Sequence, residues 1–216
     1  EYLRIDVLAT NLSTVVGNRR TETVDGHELI FQINYLAPWY LSWLLTDHLL
    51  YSRATMIIAS SLAHRVNAHF EMSDLNAERH YSLSSAIGNA TLARLLQMRA
   101  LQARYGAQGL SAVAFDGGAG TNSASSLDPI AKTRFHAKRG PRTASVDKAV
   151  DTLVWLAEGT PGINYRPDRY YVNRSARRTG KTADDRGLAA ELWRHTELVL
   201  DERIRRFQPD AIRTRV

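Results

Sequence analysis

Four short apolar runs, separated by long stretches with helical spacing, limit this chain to a layered arrangement of strands and helices. Ile5-Asp6-Val7-Leu8-Ala9, Thr55 to Ala59, Leu110 to Phe115 and Tyr170-Tyr171-Val172 have the length and apolar content of buried strands. Between and after them, Glu28 to Leu50, Ser84 to Arg104, Val146 to Glu158 and Leu188 to Arg206 carry apolar residues at helical spacing. Strands that alternate with helices predict a parallel sheet with crossover helices, hence an α/β fold. Punctuation agrees with this order. Pro38 brings no N–H to the first helical stretch and predicts a kink there. Gly106 stops the second, and Gly159-Thr160-Pro161-Gly162 ends the third.

A chain of 216 residues with 44% hydrophobic and 23% charged residues can build one good core. The expected organisation is a single domain over residues 1–200 with a basic tail over 201–216, where Arg203, Arg205 and Arg206 lie. The apolar stretch from Tyr35 to Tyr51 contains Pro38, Asp47 and His48, so it reads as a buried helix rather than a membrane span. No basic segment followed by an apolar one opens the sequence, and a cytoplasmic location is the expectation. The absence of cysteine excludes disulfides and thiolate metal sites, and no compact His/carboxylate set predicts a metal. The formal charge of +6 gathers at Lys132, Arg134, Lys138, Arg139 and Arg142, and again at Arg174, Arg177, Arg178 and Lys181. Such clusters are the footprint of phosphate binding, but no aromatic residues are interleaved to stack bases. Solvated loops and a helix face are the preferred reading, and nucleic acid is not an expected partner.

The residues at the strand ends carry a resemblance. Tyr81-Ser82-Leu83-Ser84-Ser85-Ala86-Ile87-Gly88-Asn89-Ala90-Thr91-Leu92-Ala93 resembles the helix of short-chain dehydrogenases/reductases, in particular the retinol-dehydrogenase-like branch with its Ala-Tyr-x-x-Ser-Lys-Leu-Ala pattern. Ile87 stands at the tyrosine and Thr91 at the lysine. Asp6 to Ser13 is similar to the family strand ending Asn-Asn-Ala-Gly, of which Asn11 remains. Gly26, Glu28, Phe31 and Asn34-Tyr35-Leu36-Ala37-Pro38 match the following helix, with Asn34 on the catalytic asparagine. Ser60-Ser61-Leu62-Ala63-His64 places Ser61 on the catalytic serine. Phe115-Asp116-Gly117 falls on His-Pro-Gly, Thr121 on a cofactor-contacting threonine, and Asp184 to Trp193 on the closing helix.

The resemblance implies the C-terminal portion of a Rossmann-like, doubly wound parallel sheet. It further implies NAD or NADP as cofactor, a small-molecule substrate, catalytic roles for Ser61 and Asn34, and cofactor contacts at Asn11, Ser13, Gly117 and Thr121. The Gly-rich turn that cradles the pyrophosphate in such folds has no counterpart here. The sequence starts at what would be the fourth strand, so two preceding βαβ units are expected outside it, and the strand holding Asn11 is expected at a sheet edge open to homo-oligomer formation.

The substitutions at 87 and 91 remove specific chemistry. A phenol with an ordinary pKa of about 10 needs an adjacent cation before it exchanges protons near neutrality. Positioned acid–base help of this kind contributes roughly 10²–10⁴ in rate, or about 3–5 kcal/mol of barrier. Isoleucine has no exchangeable proton and threonine no charge. Ser61 retains a hydroxyl to polarise a carbonyl. Asp116 is a candidate general base, against its reading as a turn residue before Gly117-Gly118; His64 is a weaker candidate, and Tyr81 a poor substitute acid. Gly117 to Thr121 could cradle phosphate, though a Gly-rich loop is weak evidence. Thr179-Gly180-Lys181-Thr182 lacks the earlier glycine of a phosphate-binding loop, and Ala59 to Ala63 is not a nucleophile elbow. Three expectations remain: a divergent enzyme acting on a small apolar carbonyl or biosynthetic intermediate, a non-catalytic homologue that regulates or stabilises a partner, and a reductase using another acid.

Overall fold

The computed structural model describes residues 4–15, 18–117 and 146–207, with side chains described from Val150 in the helix that opens at Val146 and up to Asp201 in the helix that ends the described chain. Among these residues a five-stranded sheet runs in the order β1 (Val7–Thr10), β2 (Thr55–Ser60), β3 (Ser111–Asp116), β4 (Tyr170–Val172) and β5 (Ser175–Arg177). The first four are parallel, as the alternating pattern predicts, and β5 returns antiparallel against β4. The strand β5 was not foreseen, because Ser175-Ala176-Arg177 is exposed throughout and has no apolar residue larger than alanine to signal it.

Period-two alternation sends the two faces of the sheet into separate cores. Met56, Ile58, Ala112, Ala114 and Tyr170 pack beneath the long helix α5 (Leu83–Tyr105). Ile57, Ala59, Val113, Phe115 and Tyr171 face the helix α6 (Val146–Glu158). Every residue of β2 is buried, as a strand covered on both faces must be. This is the doubly wound α/β arrangement that the sequence predicts. The closing helix α7 (Arg186–Phe207) lies against α5, and the Trp39 and Trp193 rings meet at 4.8 Å between them.

The stretch from Glu28 to Leu50 is the place where helical spacing misled. It divides into α1 (Leu29–Phe31), a π-helical turn over Gln32–Leu36, α2 (Ala37–Leu44) and α3 (Thr46–Tyr51). The irregularity precedes Pro38 instead of centring on it. In a regular helix the Asn34 carbonyl would accept from the N–H of residue 38, and proline has none. The turn widens before the proline, which then sits in the first turn of α2 where no donor is needed. The remaining helix on this side, α4 (Ala63–Val66), is a single turn after β2. Its end lies so close to α5 that a Cβ on Gly88 would stand 2.5 Å from the Asn67 carbonyl carbon.

Candidate active site at the carboxyl ends of the strands

Ligands of open α/β sheets bind beyond the carboxyl ends of the strands, and here those ends bring together several of the residues singled out above. Asn11 follows β1, Ser61 follows β2, and Asp116-Gly117 ends β3. Ser60 and Asp116 are register partners, and the Gly117 N–H donates to the Ser60 carbonyl at 3.2 Å. The ideal Cβ position of Gly117 is 3.1 Å from Asn11 Oδ1, so the glycine lets these two strand ends approach. Ser13 is exposed beyond Asn11. Thr121, Gly118 to Gly120 and the basic cluster Lys132 to Arg142 lie outside the described residues.

The four positions of the family tetrad are occupied as follows. Asn34 is buried in the π-turn, where its amide grips the backbone of Thr14 from both sides. Nδ2 donates to the Thr14 carbonyl at 3.0 Å, and Oδ1 accepts from the Thr14 N–H at 2.7 Å. Ser61 Oγ accepts from the Ala63 N–H at 3.3 Å and so steadies the first turn of α4. That bond uses a lone pair, and the hydroxyl proton can still be donated. Ile87 packs with Ile30, Ala86 and Ala90. The Thr91 hydroxyl donates back to the Ile87 and Gly88 carbonyls, each at 2.9 Å, while Ser60 Oγ donates to the Thr91 carbonyl at 3.0 Å.

A cation does lie on this helix, one turn further in. Arg94, only 3% exposed, donates through Nε to the Asn34 carbonyl, through one terminal nitrogen to Ala59 O at 3.1 Å, and through the other to Leu12 O. Among the described residues no carboxylate pairs with it. Burial lowers its pKa to about 10, which leaves it charged at neutrality. Arg94 thus takes up the Asn34 carbonyl that Pro38 cannot serve. It ties the π-turn to the ends of β1 and β2.

Two of the acid–base candidates, Asp116 and His64, both touch Tyr170. Tyr170 Oη donates to Asp116 Oδ2 at 3.0 Å. His64 sets its ring edge-on to Tyr170 with 5.4 Å between ring centres, and its Nδ1 meets the Ser61 carbonyl. Burial pushes the His64 imidazole below its ordinary range, against the opposing effect of the Ser61 carbonyl. Burial, then the charge of Asp116, pushes the Tyr170 phenol far up, so Tyr170 holds its proton at any working pH. Tyr81 lies instead in the apolar cluster around Ile30 with Ile87, and burial raises its phenol too.

Residue by residue, the nicotinamide cofactor of the family fits this surface incompletely. Asn11 and Gly117 provide a polar, open shelf at the strand ends. The ribose-facing cation is the misfit, because Thr91 is neutral and hydrogen-bonded within its own helix. Arg94 is committed to main-chain carbonyls. Among the described residues no group of His, Asp or Glu is placed to hold a metal, and no helix is long and apolar enough to cross a membrane.

Sequence reading missed Arg94 and Tyr170. The signal for Arg94 was present, an arginine inside the apolar run Leu92-Ala93-Arg94-Leu95-Leu96. The partner of Tyr170 stands 54 residues away and becomes visible only once β3 and β4 are aligned.

A scan against protein-family models finds none that matches the chain. Curated relatives are found. Over 193 residues, 89% of this chain and 64% of the relative, it is 34% identical to a Streptomyces sp. (strain C5) protein assigned by name as a daunorubicin C-13 ketoreductase. It is 29% identical to human retinol dehydrogenase 13 over 79% of the chain and 48% of that protein. The chain therefore spans between about half and two thirds of the length of these relatives. Among solved structures, a short-chain dehydrogenase/reductase from Saccharomyces cerevisiae superposes with a TM-score of 0.55 at 16% identity, covering 84% of this chain and 69% of that one, a likeness of fold. In strand order, strand-end residues and likeness to these relatives along most of its length, this chain is similar to the short-chain dehydrogenases/reductases.

Proposed function

We propose that the chain belongs to a divergent short-chain dehydrogenase/reductase that acts on a small apolar carbonyl compound or biosynthetic intermediate without the family's tyrosine–lysine proton delivery. The observation that carries this reading is the state of the two substituted positions. Ile87 is built into an apolar cluster and the Thr91 hydroxyl is turned into its own helix. Neither offers a proton or a charge to a ligand.

What remains supports binding and polarisation of a carbonyl. Ser61 keeps a proton to donate, and Asp116, the register partner of Ser60, brings a carboxylate to the end of the neighbouring strand. Leu12 and Leu62, each adjacent in sequence to a site residue, are 57% and 53% exposed, which favours an apolar ligand. The names of the Streptomyces and human relatives, a ketoreductase and a retinol dehydrogenase, are consistent with that class. A nicotinamide cofactor, when bound, would supply hydride, and Asn11, Ser13 and Gly117 are the described residues proposed to contact it, Thr121 lying outside the described residues. A cytoplasmic, homo-oligomeric protein is part of the same proposal.

A second reading is favoured by one feature. Asn34 spends its whole amide on Thr14, as a residue retained for architecture would. The protein would then be a non-catalytic homologue that stabilises or regulates a partner. Fluorescence titration with NADPH and NADH, followed by the Ile87→Tyr/Thr91→Lys double variant, separates the two. Cofactor binding together with ketone reduction gained by the double variant supports the divergent enzyme. Absence of both favours the non-catalytic homologue.

A further inference from the structure

Away from the strand ends, α2 and α7 leave space between them. Trp39 and Trp43 stand about one turn apart on α2, and Arg194, Leu198 and Asp201 follow one face of α7 at helical spacing. Together with Glu197 they line an open cavity of about 390 Å³. Small-molecule sites usually measure roughly 300–1,000 Å³. The cavity is remote from the candidate active site. Its neighbour on α5 is Arg104, which meets Glu197 at 3.9 Å and stands ten residues beyond Arg94. That is about 15 Å along the helix.

The wall is largely apolar. Trp43 stacks on Tyr40 with 5.9 Å between ring centres, and Leu198 of α7 is 70% exposed. Trp39 is 1% exposed, yet its Nε1 has no hydrogen-bond partner among the described residues. An indole N–H is a donor only, and a buried donor left unpaired is costly. Trp193, with its ring 4.8 Å from that of Trp39, is unpaired too, but it lies off the cavity against Tyr105 and under the Arg104 guanidinium. Charges about the cavity balance, Arg194 and Arg104 against Glu197 and Asp201. Such a rim has no net field to draw an ion of either sign.

We propose that this cavity binds a neutral, planar aromatic ketone, with its ring against Trp43 and Leu198 and its carbonyl oxygen accepting from Trp39 Nε1. The apolar wall takes the ring, the unpaired donor requires an acceptor, and the balanced rim favours a ligand without charge. No bond is made or broken there. The site is one of binding, separate from the strand ends and independent of their reading.

Prodan, an uncharged naphthyl ketone whose emission moves to the blue on leaving water, is the probe. Titration with the unmodified protein should give a saturable blue shift. Leu198→Asp, at an exposed position that spares the fold, should weaken binding roughly 10-fold or more by setting a charge against the ring. Leu62→Asp, at the strand ends, should leave this binding in place. Displacement of prodan then compares acetonaphthone with ethylnaphthalene, the same ring system with and without a carbonyl. The unmodified protein should prefer the ketone by roughly 5-fold, the worth of one hydrogen bond. That preference should vanish in Trp39→Phe, which keeps an aromatic ring and loses the N–H. A merely structural role for Trp39 would weaken both competitors alike and keep the preference. The proposal is overturned by no saturable shift, by full binding in Leu198→Asp, by loss of binding in Leu62→Asp, or by a ketone preference that is absent from the unmodified protein or survives in Trp39→Phe. Failure of the strand-end reading shows instead in the cofactor titration and leaves these outcomes unchanged.

Discussion

Two arginines on α5, five residues apart, are both buried and are served in opposite ways. Arg99, 6% exposed, meets Asp168 at 2.9 Å and Asp184 at 2.5 Å, with Thr179 Oγ1 completing the set at 3.3 Å. Among the described residues Arg94 meets only main-chain carbonyls. The paired charge fastens the segment around β4 and β5 to α5 from below. The unpaired charge faces the strand ends and holds together the backbone that carries Asn11, Asn34 and Ser61. A guanidinium without a carboxylate is expensive to bury, and carbonyl dipoles offset that cost only in part. Architecture is therefore settled cheaply at one end of α5, while the other end keeps a desolvated cation under the strand ends proposed as the site.

That contrast can be broken by substitution. Arg99→Met leaves Asp168 to Arg186 alone and the half-exposed Asp184 to the Thr179 hydroxyl, and should cost about 2–4 kcal/mol of unfolding free energy in denaturant melts. Arg94→Met should cost less, about 1–3 kcal/mol, because orphaned carbonyls are offset by removal of a desolvated charge. If Arg94→Met proves the costlier change, carbonyl coordination is the stronger anchor and the contrast is reversed. Arg94→Lys should be no better than Arg94→Met, since one ammonium cannot span three carbonyls on separate segments.

A smaller effect sharpens the same comparison at the site end. The folded His64 imidazole lies below its unfolded value, so its contribution to stability is complete above about pH 6.5. It is then lost as pH falls through the folded pKa, because the unfolded chain takes up the proton first. Thermal melts between neutral and mildly acidic pH should show this decline in the unmodified protein and a shallower one in His64→Gln.

The sheet was legible in the sequence because buried parallel strands write themselves as compact apolar runs, and Met56-Ile57-Ile58 is such a run. The break at Asn34 was only half legible. Pro38 announced a fault, but not that the helix would widen before the proline and free a carbonyl for a side chain 60 residues away. The strand ends pointed to Asn11, Ser61, Asp116 and Gly117, which do converge. Their partners were illegible, since the Thr14 backbone bound by Asn34 and the Tyr170 phenol bound by Asp116 depend on tertiary approach. The strand β5 escaped notice because exposed hairpin strands carry no apolar pattern.

At the centre of the account is the claim that nothing at positions 87 and 91 delivers a proton to a bound carbonyl. Steady-state oxidation of NADPH and NADH by the unmodified protein, with α-tetralone as acceptor, tests it most directly. Consumption should be no faster than in the absence of ketone. Sustained ketone-dependent turnover giving the tetralol would contradict it.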